Sequence, residues 1–278
     1  EVWKKNLTDE KSLYYGKDTL FWDFGTSPVL TQKHVIMALM RKGNSWLVAF
    51  EKRTGKVAWQ VERNYETPIE GDHSYATPIV TSQNGREAIL VWGAERFTAH
   101  DASNGDILWT CSGFNPQAKK FWVVVSSFVL VDDMAVIPYG RGARLAGIKL
   151  NGKGDVTTTN RKWTLEGKGS FVPSPATHSG KVYLVRDRGE VLCVNPNDGK
   201  VEWTGAFPKD RASYYSSPTI ADGKIYAARE DGTVFVANFQ DGFKLLTEND
   251  MGERVIASPV PVNGSLLIRG EKNLFCYR

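Results

Sequence analysis

Short runs of alternating apolar and polar residues follow one another along the chain, and glycine-containing turns separate them. Three consecutive runs are typical: Lys181–Val185, Glu190–Val194 and residues 200–203 alternate with Ser-Gly, Arg-Gly and Asp-Gly turns. Alternation with a period of two, interrupted by turn residues, predicts β-strands joined as hairpins. The chain is therefore predicted to be all-β.

A hydroxyl residue followed by proline, or once by phenylalanine, recurs six times. The copies begin at Ser27, Thr77, Ser127, Ser174, Ser217 and Ser258, which lie 50, 50, 47, 43 and 41 residues apart. Repeats of this length match four-stranded blades of a β-propeller. The sequence thus predicts a propeller of six four-stranded blades, anchored near these positions, in one domain over residues 1–278.

The second half of the repeat carries a turn glycine followed four residues later by tryptophan, as at Trp59, Trp109 and Trp203. Their fixed place predicts that the tryptophans pack between blades. Ten residues before them stands a small residue, and Cys193 and Cys276 occupy this place in their repeats. We therefore expect both cysteines to be buried and not bonded to each other, since equivalent residues of different blades are too far apart for a disulfide.

The last repeat ends after its third strand, without the glycine and tryptophan of a fourth. Glu1-Val2-Trp3 resembles the missing strand. We predict that this N-terminal strand pairs beside residues 274–278 and closes the ring, which removes an exposed sheet edge. The alternative is a fragment of a larger ring that begins in the middle of a blade.

Composition narrows the classes of function. With 41% apolar and 24% charged residues, the chain is typical of a globular protein. Its 35 basic and 31 acidic residues leave a net charge of +4, spread along the sequence, which argues against nucleic acid as a partner. No apolar run reaches the roughly 20 residues of a transmembrane helix. The 3 cysteines are too few and too widely spaced for a disulfide framework or a CxxC metal site.

The fixed order of hydroxyl-Pro, Gly-Lys-Val, small residue and Gly-x-x-x-Trp resembles the pyrroloquinoline-quinone-type β-propeller repeat. That family contains quinoprotein dehydrogenases, many of eight blades, and the scaffold lipoprotein of outer-membrane protein assembly. The resemblance implies a periplasmic, cell-envelope or secreted protein. The family's enzymes place an adjacent cysteine pair against the quinone, and this chain has none. We therefore expect no cofactor and a non-catalytic scaffold; the alternative is a quinone- or metal-dependent oxidoreductase, or another enzyme, with its site at the channel mouth.

An arginine follows the second strand of five repeats, at Arg41, Arg141, Arg186, Arg229 and Arg269. In a meander this turn opens on the same face as the connection between blades. The connections contribute aromatic residues to that face, namely Trp22, Tyr75, Trp122, Tyr214 and Tyr215. Arginine and aromatic enrichment is typical of binding surfaces. We predict that a monomeric domain binds a protein, an acidic glycan or another anionic ligand there. The alternative is that each arginine pairs with nearby carboxylates such as Asp187, Glu230, Asp231 and Glu271.

One loop is rich in acidic residues, with Glu66, Glu70 and Asp72 beside His73. Such a cluster could hold a cation or act in acid-base chemistry. A solvated loop explains the same residues, and we expect no metal site.

Overall fold

The structure is a computed structural model that describes residues 1–7, 24–43 and 45–278. The described residues form six sheets, one for each repeat, and a single short helix. The prediction of an all-β chain is confirmed. By their internal contacts the residues divide into two compact units: unit 1 holds residues 1–127 and 150–161, and unit 2 holds residues 128–149 and 162–278.

Unit 1 contains two sheets. The strands of sheet 1 are β1 (Val29–Leu30), β2 (His34–Leu39), β3 (Trp46–Glu51) and β4 (Val57–Glu62). Those of sheet 2 are β5 (Ile79–Gln83), β6 (Arg86–Gly93), β7 (Arg96–Asp101) and β8 (Ile107–Cys111). Each sheet is an antiparallel meander. The insertion of the third repeat forms β12 (Gly154–Asp155), which joins β8 in parallel, and α1 (Thr157–Asn160).

Unit 2 contains four sheets. Sheet 3 has β9 (Val129–Val131), β10 (Met134–Tyr139), β11 (Arg144–Lys149) and β13 (Arg161–Glu166). Sheet 4 has β14 (Ala176–His178), β15 (Lys181–Val185), β16 (Glu190–Val194) and β17 (Val201–Ala206). Sheet 5 has β18 (Thr219–Ala221), β19 (Lys224–Ala228), β20 (Thr233–Asn238) and β21 (Lys244–Asp250). Sheet 6 has β22 (Val260–Val262), β23 (Ser265–Arg269) and β24 (Leu274–Tyr277).

The anchor hydroxyls link neighbouring sheets, which explains their recurrence. The backbone N–H of one anchor donates to the hydroxyl of the next anchor along the chain. In unit 1 these bonds join Ser27 to Thr77 (3.1 Å) and Thr77 to Ser127 (3.1 Å); in unit 2 they join Ser174 to Ser217 (3.0 Å) and Ser217 to Ser258 (2.9 Å). A hydroxyl is needed here because an aliphatic residue would leave the N–H without its acceptor.

The core lies on the second and third strands, whereas the fourth strands form the partly exposed rim. Trp109 is fully buried, as predicted. Trp59 and Trp203 are partly buried, and each packs against the neighbouring sheet as predicted, Trp59 beside Ala102 and Trp203 beside Phe243.

The predicted pairing of a Trp3 strand with residues 274–278 is absent from the described residues. Residues 1–6 form no strand, and sheet 6 ends at β24. Trp3 instead packs against Gly55, and its indole N–H donates to the carbonyl of Lys52 (2.8 Å). Trp59 makes the same pair of contacts with Gly105 and with the carbonyl of Ala102 (3.2 Å). Trp3 therefore covers sheet 1 as a fourth-strand tryptophan covers its neighbour, but without a strand.

A buried polar network joins the two sheets of unit 1. Arg63 is fully buried and donates to the carbonyls of Gly93 (3.0 Å) and Arg96 (2.9 Å) and to the Thr98 hydroxyl (3.1 Å). Thr98 Oγ1 lies 2.9 Å from His100 Nε2, and His100 Nδ1 lies 2.8 Å from the carbonyl of Gly105. Since a carbonyl only accepts, Nδ1 carries the proton and Nε2 accepts from the threonine. The network thus holds His100 neutral.

Neutral His100 makes the stability of the protein sensitive to pH. Burial, followed by the charge of Arg63, lowers the pKa of His100 to about 4. The unfolded chain takes up this proton below roughly pH 6.5. The contribution of neutral His100 to the free energy of unfolding is therefore fully present above that pH. It decreases on acidification, by about 2 kcal/mol between roughly pH 7 and pH 5.

Urea unfolding at the two pH values measures this decrease. His100→Gln should remove most of it, whereas His178→Gln, at an exposed histidine, should leave it intact. Equal pH dependence of the wild type and His100→Gln would contradict the assignment.

Candidate binding face

Turns and connections meet at one edge of the sheets of unit 2. We call this the turn face of unit 2: residues 186–189, 207–218, 229–232, 251–259 and 270–273. Backbone hydrogen bonds tie each turn to the following or preceding connection, from Tyr214 to Asp187 (3.1 Å), from Glu230 to Ser213 (2.9 Å) and from Glu271 to Arg254 (3.0 Å). The repetition of this bond in successive sheets means that the turns are held at fixed positions. The face is therefore a rigid surface.

Two of the predicted arginines of this face form local ion pairs. Arg186 bonds to Glu190 and to the carbonyl of Gly169 (2.8 Å). Arg229 is buried and donates two hydrogen bonds to Asp231 Oδ2, from Nε (3.0 Å) and from Nη2 (2.7 Å). Hydrogen bonding between the two raises the pKa of Arg229 and lowers the pKa of Asp231. Both guanidinium charges are thus compensated within the fold.

The other predicted arginines lie in different surroundings. Arg141 is exposed and stacks on Phe171, with 4.4 Å from its Cζ to the ring centroid. In unit 1, Arg41 lies over Phe24 at 5.5 Å. Arg269 is exposed at the end of β23. Outside these five positions, Arg254 of the connection between β21 and β22 pairs with Glu230. Ion pairs with carboxylates of the same hairpin are therefore seen for Arg186 and Arg229.

The aromatic residues divide into supporting and exposed groups. Tyr214 is buried, stacks on Phe207 and donates to the carbonyl of Pro208 (3.2 Å). Burial raises its pKa. Tyr215, the next residue, is 37% exposed. The alternation follows from the extended backbone, which turns successive side chains to opposite sides.

In unit 1, Trp122 is buried and donates to the carbonyl of Phe114 (3.0 Å), and Tyr75 packs against Gly25. These side chains support loops. Trp22 lies outside the described residues. The prediction of one binding face that includes all these residues stays a prediction.

Cations remain exposed on the turn face after the local pairs are accounted for. Arg188, Lys209 and Arg211 are exposed, and within the part of unit 2 that the structure describes none of them pairs with a carboxylate. Arg188 donates to the backbone carbonyl of Arg211 (3.0 Å), which brings the Arg188 guanidinium to the connection that carries Lys209 and Arg211. Ile256 is 51% exposed in the next connection. Arg188 lies two residues after Arg186, the residue of this turn to which the arginine spacing pointed.

The acidic loop of unit 1 forms hydrogen bonds rather than a metal site. Asp72 Oδ1 lies 3.1 Å from Nδ1 of the buried His73. Glu95, from the turn of sheet 2, accepts from Asn115 (2.6 Å), and burial raises its pKa. Among the described residues no group of three or more His, Cys, Asp or Glu side chains is arranged to hold a metal ion.

The three cysteines are free thiols. Cys111 and Cys193 are buried, and burial raises the pKa of each thiol. Cys276 is exposed, so the prediction that it is buried is wrong. The reason is that, among the residues that the structure describes, no fourth strand lies beside β24 to cover it.

Comparisons with known proteins agree on the fold. A family model described as "Outer membrane protein assembly factor BamB" matches residues 1–162 and 153–275. No curated protein matches the sequence significantly. Among solved structures, BamB from Moraxella catarrhalis is similar with a TM-score of 0.64 and 18% identity, over 90% of this chain and 67% of that one. A europium-containing methanol dehydrogenase has the same TM-score at 12% identity, over 82% of this chain and 51% of that one.

At these identities the two structures show the fold alone. The family model, which matches nearly the whole chain, confirms the predicted resemblance to the pyrroloquinoline-quinone-type propeller repeat family. No helix among the described residues is long and apolar enough to cross a membrane.

Proposed function

Because the chain belongs to the family described as outer membrane protein assembly factor BamB, we propose that it is a non-catalytic, protein-binding scaffold of the bacterial cell envelope. In this proposal the turn face of unit 2 binds an acidic surface of a partner protein. The observation that carries the proposal is the set of exposed cations Arg188, Lys209 and Arg211, which form no salt bridge among the described residues and lie on turns held by backbone hydrogen bonds.

Rigidity supports a binding role because little conformational entropy is lost when a preorganised surface meets its partner. The backbone bonds between turns and connections fix the positions of the charges. Buried Tyr214 and the Arg229–Asp231 pair sit beneath the same connection and hold its path. The paired arginines that the sequence highlighted thus act as supports for neighbouring residues that are free to bind.

The chemistry of the exposed group suits a protein. Arginine and tyrosine are enriched in protein interfaces, where arginine binds carboxylates through two parallel hydrogen bonds. Tyr215 and Ile256 add exposed apolar surface in the connections that flank these cations. Apolar surface within a cationic rim fits a folded partner better than a small anion.

Charge reversal on the turn face tests the proposal. Lys209→Glu with Arg211→Glu should weaken capture of the partner from an envelope extract at least about tenfold, since like charges then face each other. The binding of the wild type should also weaken as salt is raised, because exposed charges are screened.

The matched control is Lys200→Glu, an exposed lysine in the turn between β16 and β17, at the opposite edge of sheet 4. It should bind like the wild type. If the double variant retains the same partner with the same affinity and salt dependence, the turn face is not the binding surface.

A further inference from the structure

The insertion of the third repeat packs on sheet 2. Residues 150–160 join the third and fourth strands of sheet 3, whereas residues 52–56 are enough for the same connection in sheet 1. The insertion belongs to unit 1, where β12 pairs with β8. In repeat proteins, an insertion in one repeat often forms part of a binding face. The insertion therefore marks a place where a specific site can be added to the repeated framework.

Hydrogen bonds lock the insertion to the turn between β5 and β6. Oε1 of the buried Gln83 accepts from the Trp109 indole N–H (3.1 Å) and from the backbone N–H of Asn151 (2.8 Å). Oδ1 of Asn151 in turn accepts from the backbone N–H of Asn84 (3.0 Å). Both asparagines have a positive φ, of 51° and 64°, which asparagine tolerates in turns. The two segments are thus held at fixed positions relative to each other.

A cavity of about 420 Å³ lies between this turn, the start of β8 and the insertion. Its volume is within the range of roughly 300–1,000 Å³ that is typical of small-molecule sites. Among the described residues that line it, both charged side chains, Arg86 and Lys153, are basic. Ile107 and Leu108 give the cavity an apolar floor, and Ile107 is 50% exposed. The cavity thus combines positive charge with accessible apolar surface.

The two cations of the cavity are accessible. The Arg86 side chain is 70% exposed, and its ion pair with Asp101 is 3.8 Å long, which makes it a weak surface pair. Lys153 is exposed and forms no salt bridge within the part of unit 1 that the structure describes. The carboxylates of the turn between β7 and β8 lie outside the lining and accept hydrogen bonds within that turn, Asp101 from Ser103 (2.8 Å) and Asp106 from Asn104 (2.6 Å).

We propose that this cavity binds a small organic anion, with its carboxylate, sulfonate or phosphate group on Arg86 and Lys153 and its apolar body on Ile107. The guanidinium can donate two parallel hydrogen bonds to such a group, and the lysine ammonium adds a second positive charge. Covering Ile107 removes apolar surface from water, which favours a ligand with a hydrocarbon or aromatic body over a bare inorganic ion. The cavity is in unit 1 and shares no residue with the turn face, so this inference does not rest on the proposed function.

The dye anilinonaphthalene sulfonate is a suitable probe, because it carries one sulfonate on an aromatic body and its fluorescence rises when the rings leave water. It should bind the full chain saturably. Arg86→Gln with Lys153→Gln should raise its Kd at least about tenfold, since a hydrogen bond to a charged group contributes about the free energy of a tenfold change or more. Ile107→Glu, which places a carboxylate on the apolar floor, should abolish binding.

The chemical class of the ligand is tested by competition at constant ionic strength. Benzoate should displace the dye from the wild type at a concentration at least about tenfold lower than inorganic phosphate, because phosphate has no apolar body to cover Ile107. Equal displacement by benzoate and phosphate would overturn the proposal, since the cavity would then recognise charge alone.

Lys56→Gln with Lys200→Gln is the matched control, because both lysines are exposed in turns outside the cavity and the variant loses the same two charges. It should bind the dye with the Kd of the wild type. The proposal is overturned if the wild type shows no saturable binding, if Arg86→Gln with Lys153→Gln keeps the Kd of the wild type, or if the control raises the Kd equally. Melting curves of the variants verify that each one is folded, as expected for exposed side chains.

Discussion

Replacing Trp109 with alanine is expected to lower the free energy of unfolding by about 3–5 kcal/mol, as for other fully buried aromatic residues. Trp109 has no exposed surface, packs edge-on against Phe97 with ring centroids 5.4 Å apart, and donates to Gln83 Oε1 (3.1 Å). The truncation removes this packing and leaves a cavity between β8 and its neighbours. Denaturant unfolding followed by circular dichroism measures the loss.

Trp203→Ala is the matched comparison, because Trp203 has the same place in its repeat but is only partly buried. Its loss should be clearly smaller than that of Trp109→Ala. Equal losses would mean that burial does not determine the contribution of the repeated tryptophan, contrary to the packing described for the rim strands.

Arg63→Met should lower the free energy of unfolding by about 2–4 kcal/mol. Methionine has a similar length but donates no hydrogen bond, so the buried carbonyl of Gly93 and the partly buried carbonyl of Arg96 each lose a donor, at about 1–3 kcal/mol for an unsatisfied buried group. Burial disfavours the charged guanidinium and lowers the pKa of Arg63 to about 10. The variant is free of this desolvation cost, which offsets part of the loss. The backbone acceptors stay in place in the variant, and we therefore expect the net effect to be destabilising.

Arg63→Lys separates charge from hydrogen bonding. The lysine ammonium keeps the positive charge but lacks the planar guanidinium that reaches both carbonyls. The free energy of unfolding of Arg63→Lys should therefore fall between the values of the wild type and Arg63→Met. If Arg63→Met is as stable as the wild type, the hydrogen bonds of Arg63 do not stabilise the contact between the two sheets, and side-chain packing alone holds the sheets together.

The fold was predictable because its signals are local and repeated. The repeated anchors mark the start of each sheet, and the structure shows why: four of their hydroxyls accept from the backbone N–H of the preceding anchor, as Ser217 does from Ser174. The Val-x-Trp pattern records a bulge opposite a small residue. The alternation of apolar and polar residues along each run, with a period of two, was sufficient to predict the strands.

The candidate site was less predictable because charge compensation depends on contacts that spacing does not encode. Arg186 and Arg188 are two residues apart in the same turn, yet the first is paired with Glu190 and the second is exposed. Tyr214 and Tyr215 are likewise adjacent, and only the second reaches the surface. Cys276 is exposed because no described residue forms a strand beside β24, whereas its position in the repeat predicted burial.

The central claim is that a partner protein binds the turn face of unit 2. Photo-crosslinking in the cell envelope tests it directly, with a benzophenone amino acid in place of the exposed Tyr215 and, as a control, in place of Lys200 at the opposite edge. The account predicts one discrete covalent product from position 215, none from position 200, and loss of the product when Lys209→Glu and Arg211→Glu are added. No product from position 215, or the same product from both positions, would contradict it.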